Sequence, residues 1–486
     1  MINKILLFLG LALPAFILLL LVNTFRFESR QVAVAAVEPV PVPDSAVAHL
    51  SAAVRIPTVS PGNPAAFDPA PFAALRDFLS ATYPLTHTHL QREVVLGHSL
   101  LYYWPGRNPA LKPAVLLAHQ DVVPVEEESL AKWTVPPFSG AVQDGYIWGR
   151  GTMDDKIGVI AILEAVERSL LEGFVPERSV YLAFGHDEEV GGKGAAATAA
   201  LLQSRQVEAE FVLDEGQVVT TGLVPGMEAP VALIGTAEKG FLTLELLVEE
   251  EGGHSSMPPK ETAVSRLSRA IVRLSENPLP KRLSPPVEGF IRYLGPEMPF
   301  LERVVFANAW LFKPIILRLY EQSPSGNALV RTTTAPTILR SGVKDNVLPT
   351  EARGAVNFRI LPGSSIQEVM GHAQEVIDDE RVRLSPKKSF LREPSPVSPT
   401  DVPAFSHLAR SIREVYPGTV VAPTLVLAGT DSYHYTGVSP NIYRFAPLIL
   451  GPEDLSRIHG TDERIRVEDF RKSIHFYYRL LRNLQE

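Results

Sequence analysis

Apolar positions fall in two rhythms between Val47 and about Thr236. Short continuous runs, "PAVLLAHQDVV" from Pro113, "SVYLAF" from Ser179 and "AEFVLDEG" from Ala209, begin apolar and end in polar or acidic residues. Between the first two, "IGVIAILEAVERSLLEG" repeats apolar residues at helical spacing and stops at Gly173. Brief apolar runs of this kind predict buried strands, and the spaced repeat predicts a helix. Strand, helix, strand and strand, with polar groups gathering at strand ends, predicts an α/β sheet whose site lies at the carboxyl ends of the strands.

From about Ala237 the rhythm changes. "FLTLELLVEEEGG" and "EARGAVNFRI" alternate as half-exposed strands do, and helices are predicted near "ETAVSRLSRAIVRLS" and "SIQEVMGHAQEVIDD". An apolar-rich, proline-containing stretch from Pro278 to Asn327 reads as irregular; it could be core, a dimer surface or a membrane-facing patch. From about Phe390 the α/β texture returns, through "TLVLAGTDS" to a last helix, "VEDFRKSIHFYYRLLRNL". The expected architecture is a mixed-sheet α/β catalytic domain (47–236 and 390–486) with a smaller α+β domain (237–389) inserted into it as a lid or dimerisation unit.

Ahead of this, Ile5 to Val22 carries no charge. That approaches the ~20 residues a helix needs to cross the hydrocarbon layer. Residues 1–24 are expected to be a transmembrane anchor, with a cleaved signal ending near Ala33–Ala35 as the alternative. Residues 25–46, including "VEPVPVPDS", read as a stiff spacer. Either way the bulk of the chain is expected outside the cytoplasm, membrane-tethered or secreted.

Composition narrows the chemistry. The 486 residues are 45% hydrophobic and carry a net charge of −8, so no nucleic-acid partner is expected. The absence of cysteine removes disulfides, thiolate metal sites and a cysteine nucleophile. No G-x-S-x-G elbow and no phosphate-binding glycine loop is present.

The polar strand ends are the remaining signal: His119 and Asp121, Asp154 and Asp155, Asp187 to Glu189, Asp214, and a late His459. Imidazole and carboxylate together suit zinc and similar divalent ions. Clustered carboxylates resist ionisation unless cations neutralise them.

These stretches, with "WTVPPFSGAVQDGYIWGRGTMDDK", "GHDEEVGG", "GGHSSMPP", "GVKDNVLPTEARGAVNFRILPG", "GTDSYHY" and "HGTDERI", resemble the M20 dinuclear zinc amidohydrolases. That family includes glutamate carboxypeptidase, aminoacylase and succinyl-diaminopimelate desuccinylase. The closest likeness is to the branch of carboxypeptidase S and the N-fatty-acyl-amino-acid synthase/hydrolase.

The resemblance implies two zinc ions, replaceable by cobalt or manganese, bridged by Asp154 and completed by His119 and Asp214 on one side and Glu189 and His459 on the other. It implies that Asp121 orients His119, that Glu188 is the general base, and that His254, often supplied by a partner subunit of a homodimer, stabilises the oxyanion. Asn346, Arg359 and Gly429 match substrate-carboxylate contacts, and a cis peptide is implied at Asp154-Asp155. The implied substrate is a short peptide, cut as by a carboxypeptidase or dipeptidase, or an N-acyl amino acid. Asp187 receives no role.

Overall fold

The computed structural model describes residues 2–35 and 37–485, apart from the side chains of 2–10 and 388–390. Ten strands form one mixed sheet. Its order is Gln91–Val95, Ser99–Trp104, Val180–Gly185, Ala114–His119, Phe211–Asp214, Ile442–Arg444, Val231–Glu238, Val219–Thr220, Ile449–Leu450, with Val420–Val426 also pairing with Val231–Glu238. Val180–Gly185 and Phe211–Asp214 flank Ala114–His119 in parallel. Their carboxyl ends therefore share one edge of the sheet, which carries His119, the loop after Gly185, and Asp214.

The central strands are continuously apolar because both faces are covered. Leu116, Ala118, Leu182 and Phe184 join the core that holds Lys156–Leu171 and Val467–Asn483. Val115, Leu117 and Ala183 face the other way, onto Ala195, Ala199 and Leu202 of the helix Lys193–Ser204.

A second, antiparallel sheet has the order Thr333–Ser341, Glu351–Ile360, Gly240–Glu249, Val382–Arg392. Gly240–Glu249 buries Leu242, Leu244, Leu246 and Val248 against the helices Ala263–Glu276 and Ile366–Ile377. Each such burial contributes about 1.5–3 kcal/mol. Both helices open with a capping box, Thr262 with Ser265 and Ser365 with Glu368. The chain crosses between the two sheets at 238–240 and again at 392–395. The crossings are tied together: Ser395 Oγ accepts the Glu238 N–H at 2.8 Å, and the Ser395 N–H reaches Glu238 O at 3.2 Å.

The stretch read as irregular is helical. It forms Pro285–Leu294, Phe300–Ala307, Ala309–Glu321 and Pro324–Val330. Prolines misled the reading because they stand at helix starts, as in Pro285 and Pro324, where a missing N–H costs nothing. Pro285–Leu294 does not join the core under the second sheet. It packs on Val420–Val426 of the large sheet, with Leu294 beside Val420 and Ala422.

The N-terminal helix spans Ile2–Phe25 and lies along this helical stretch. Phe16 meets Trp310 edge-on, Phe25 meets Phe300, and Asn23 Nδ2 donates to Asn308 Oδ1 at 2.9 Å. The expectation of a transmembrane helix finds no support here. Among the described residues no helix is long and apolar enough to cross a membrane. Part of the apolar run behind that expectation, the side chains of 5–10, lies outside the described residues.

Candidate metal centre

His119 ends its strand with Nδ1 held 3.0 Å from the carbonyl oxygen of Asp121 and 3.3 Å from its carboxylate. Nε2 is thereby left as the outward nitrogen. It lies 2.8 Å from Asp154 Oδ1. The other oxygen of Asp154, Oδ2, lies 3.0 Å from His459 Nε2, and His459 Nε2 lies 3.4 Å from Glu189 Oε2. One carboxylate thus turns its two oxygens to two different imidazoles. Ligand atoms of His119, Asp154 and Glu189 all lie within 4.8 Å of one another.

The loops that bring these groups together are fastened by a pair the sequence reading passed over. Glu463, fully buried, accepts the N–H groups of Gly151 at 2.9 Å and Met153 at 2.8 Å. Arg150 bonds Glu463 at 2.6 Å and reaches the carbonyls of His459 and Gly460 at 3.1 Å. The Asp154 loop and the His459 loop are thereby buckled together. His459 itself is in the left-handed region at φ 58°. The Asp154-Asp155 peptide is cis.

The loop "HDEEVGG" turns under a second set of contacts. The Asp121 carboxylate accepts the backbone N–H of Glu188 at 3.1 Å and of Glu189 at 3.2 Å. Asp187 accepts the N–H groups of Lys193 and Gly194 at 3.0 and 2.8 Å, so it caps the helix Lys193–Ser204. The sequence pattern predicts no helix after this loop, so the role appears only in the structure. The chain reverses through Gly191 at φ 109° and Gly192 at φ 64°, a backbone shape that favours glycine. A Cβ at Gly185 or Gly192 would collide with the buried Asp431 carboxylate beneath the loop.

Charge at this sheet edge is unbalanced. Burial, with Asp431, Glu189 and Asp154 nearby, pushes the Glu188 carboxyl well above the usual range. Burial does the same to Asp155, and to Asp431 with Asp214 beside it. The histidines respond in the opposite sense. Hydrogen bonds to Asp154 and Glu189 raise His459 to about 10. Burial disfavours the His119 imidazolium, yet Asp121 and Asp154 together raise its pKa well above the ordinary value.

These features fit a cation. Two imidazole nitrogens face carboxylate oxygens here, the donor types that hold divalent ions. Glu189 Oε1 is buried and has no hydrogen-bond partner among the described residues. A buried carboxylate oxygen left unmatched is costly unless something electropositive meets it.

The remaining predicted residues are placed as follows. Asp214 is buried at its strand end, but its oxygens accept the N–H groups of Ser432 at 2.7 Å and Glu215 at 3.0 Å, and it stands outside the three-residue cluster. His254 ends the short exposed strand Gly253–His254, which pairs with Val347–Leu348, and Asn346 is exposed in the turn just before that second strand, its carbonyl accepting the Ser255 N–H at 3.2 Å. His254 Nδ1 accepts from the Ser256 N–H at 3.1 Å, which leaves Nε2–H as the free donor. Neither residue bonds to the acidic cluster among the described residues. Arg359 lies with its guanidinium carbon 4.5 Å from the centre of the Phe241 ring. Gly429 leaves the space that Arg392 Nη1 occupies.

A family model described as "Peptidase family M20/M25/M40" matches residues 115–483. A "Probable carboxypeptidase S-like 2" of Dictyostelium discoideum is 42% identical over 97% of this chain and 92% of its own length. An "N-fatty-acyl-amino acid synthase/hydrolase PM20D1" of Xenopus tropicalis is 45% identical over 90% of this chain and 85% of its own. Among solved structures, an M20 family metallo-carboxypeptidase of Sulfolobus solfataricus superposes with a TM-score of 0.66 at 17% identity, over 91% of this chain and all of that one. The fold is thus shared with that structure. The chain belongs to peptidase family M20/M25/M40 and is a metal-dependent hydrolase of that family.

Proposed function

We propose that the chain cleaves an amide bond adjacent to a free α-carboxylate, as a carboxypeptidase or dipeptidase. The observation that carries this is Asp154, whose two oxygens face His119 and His459 separately while Glu189 keeps an unmatched buried oxygen. Two zinc ions, with cobalt or manganese as substitutes, would be held by His119, Asp154, Glu189 and His459, and by Asp214 after it exchanges a backbone partner. When bound, they would supply an acidified water and polarise the scissile carbonyl.

The chain's own groups supply the rest. Glu188 makes no hydrogen bond or ion pair through its side chain among the described residues, and its raised pKa suits a group that takes a proton from water and passes it to the leaving amine. Asp121 holds His119 and the Glu188 backbone in place together. His254, with Nε2–H exposed, would donate to the oxyanion after its strand closes over the site or arrives from a second copy. Arg359, Asn346 and Gly429 would receive the substrate carboxylate.

An N-fatty-acyl amino acid is the second substrate reading. It is favoured by the similarity to the Xenopus protein so named and by an exposed apolar surface on the inserted helices, which includes Phe300, Leu301, Trp310 and Ile315. We place the catalytic region outside the cytoplasm, on the apolar N-terminal run and the proline-rich spacer. Hydrolysis of a dipeptide and of an N-fatty-acyl amino acid sharing one C-terminal residue, with metal content measured on the same sample, tests both readings. Hydrolysis of neither substrate by metal-loaded protein would defeat the assignment.

A further inference from the structure

Arg359, Phe241 and Arg392 form a row across the small sheet. Phe241 pairs with Arg359 on one side and with Arg392 on the other. Directly opposed residues of antiparallel strands project to the same face. The two arginines therefore flank Phe241 on one surface, with backbones roughly 10 Å apart, twice the spacing between strands. That span is short enough for two long side chains to close on one small anion.

We infer that Arg392 is a specificity-determining residue that joins Arg359 in a two-guanidinium receptor for the free carboxylate of the substrate. This rests on the amidohydrolase reading above and adds a residue and a selectivity to it.

The partners of the two arginines are few. Arg359 makes no ion pair or hydrogen bond among the described residues, although burial already lowers its pKa. Among the described residues Arg392 bonds through one nitrogen: Nη2 donates to Glu238 Oε2 at 2.6 Å and to Thr430 O at 3.0 Å. Its Nε is buried without a partner, and Nη1 occupies the space left by the missing side chain of Gly429. Its guanidinium lies 3.7 Å from the centre of the Tyr433 ring, which fixes the plane of the fork.

Local charge is short of an anion. Glu238, fully buried, already serves Arg444 at 2.9 Å as well as Arg392. Among the described residues, Lys239 Nζ bonds only the carbonyls of Ala328 and Arg331, at 2.9 and 2.8 Å. Glu393, next to Arg392 in sequence, is taken up by the Ile366 N–H. One carboxylate thus faces two guanidiniums, while Arg359 and Lys239 pair with no carboxylate among the described residues. A planar monoanion able to take paired N–H donors is the ligand this geometry recognises.

The receptor is also joined to the metal centre. Thr430 O receives Arg392, and two residues on the Ser432 N–H holds Asp214. A substrate whose carboxylate sits on the arginines would lay its neighbouring amide toward the carboxylate cluster. A carboxamide in the same place would set an N–H₂ against guanidinium donors.

The test compares kcat/KM on an N-acyl amino acid and on its C-terminal carboxamide, for metal-loaded wild type, Arg392→Met, Arg392→Lys and Arg359→Met. Wild type is expected to prefer the acid. Arg392→Met should shrink that preference at least about tenfold, through KM of the acid, with Arg392→Lys between the two because it keeps charge and loses the fork. Arg359→Met should act in the same sense. If Arg392→Met lowers both substrates equally, Arg392 serves only to hold the crossing at Glu238 and the inference falls. If Arg392→Met does not fold, the acid-to-amide ratio of Arg392→Lys decides, and an unchanged ratio overturns the inference. Wild type that hydrolyses neither compound removes the underlying reading instead.

Discussion

The Asp121 carboxylate holds the backbone of Glu188, accepting its N–H at 3.1 Å, while also lying 3.3 Å from His119 Nδ1. One buried acid therefore positions both a candidate ligand and the candidate base. In Asp121→Asn, one oxygen becomes a donor facing donors. Metal affinity is expected to fall about 10–100-fold, the usual scale for such outer partners, with kcat falling alongside. Competitive metal titration and steady-state kinetics would measure the two. Unchanged metal affinity would separate Asp121 from the centre.

Glu188→Ala should keep its metal and lose at least about a hundredfold in kcat, the ordinary scale for a general acid–base group. Elemental analysis of the same preparation distinguishes loss of the base from loss of the metal. Turnover at the wild-type rate would remove Glu188 from the mechanism.

The Arg150–Glu463 pair carries a stability prediction. Both side chains are at most 3% exposed. Glu463→Ala would strand the Arg150 charge and free two backbone N–H groups, at a cost of about 3–5 kcal/mol. Chemical denaturation of the metal-free protein would show it as a lowered midpoint. The wild-type carboxyl is pushed up to about 7 by burial, so Glu463→Gln should be milder than Glu463→Ala.

Metal binding should release protons. In metal-free protein His459 is raised to about 10 and His119 is raised as well, so both are protonated at neutral pH. A cation must expel those protons, so apparent affinity should climb with pH through the neutral range. The slope is about tenfold per pH unit for each proton displaced. Calorimetry in buffers of different ionisation enthalpy counts the protons directly. A pH-independent affinity would mean that neither imidazole is a ligand.

The exposure of His254 makes its origin testable. Mixing inactive Glu188→Ala and His254→Ala chains, after dissociation and reassociation, should restore about a quarter of wild-type activity if a homodimer supplies the histidine across its two-fold axis. No restoration would assign His254 to its own subunit's cleft.

The parallel strands and the residues at their ends were readable because burial on both faces leaves a continuous apolar run, and that run stops where the chain reaches the cleft. Asp154, Glu189 and His459 were named through motif, since no local rhythm announces a side chain brought into a cluster by a contact some 300 residues away, such as Asp154 to His459. Glu463 and Arg392 were missed for the same reason in reverse. Each sits in an ordinary stretch, and only tertiary pairing shows its neighbours. The helices of this stretch were misread because most of their prolines sit at helix starts, as Pro285 and Pro324 do, while Pro314 lies inside Ala309–Glu321. A proline at a first turn and one in a loop look alike in sequence.

Of the four tryptophans, Trp104, Trp133 and Trp148 are no more than 8% exposed, whereas Trp310 is 61% exposed and touches Phe16 of the N-terminal helix. The protein therefore carries its own optical label. Three emitters give a blue, quencher-resistant background, and one red-shifted emitter sits at the seam between the N-terminal helix and the inserted helices. Any event that parts that seam, or brings an apolar surface against it, should be visible in the unmodified chain as a change in one component of its emission.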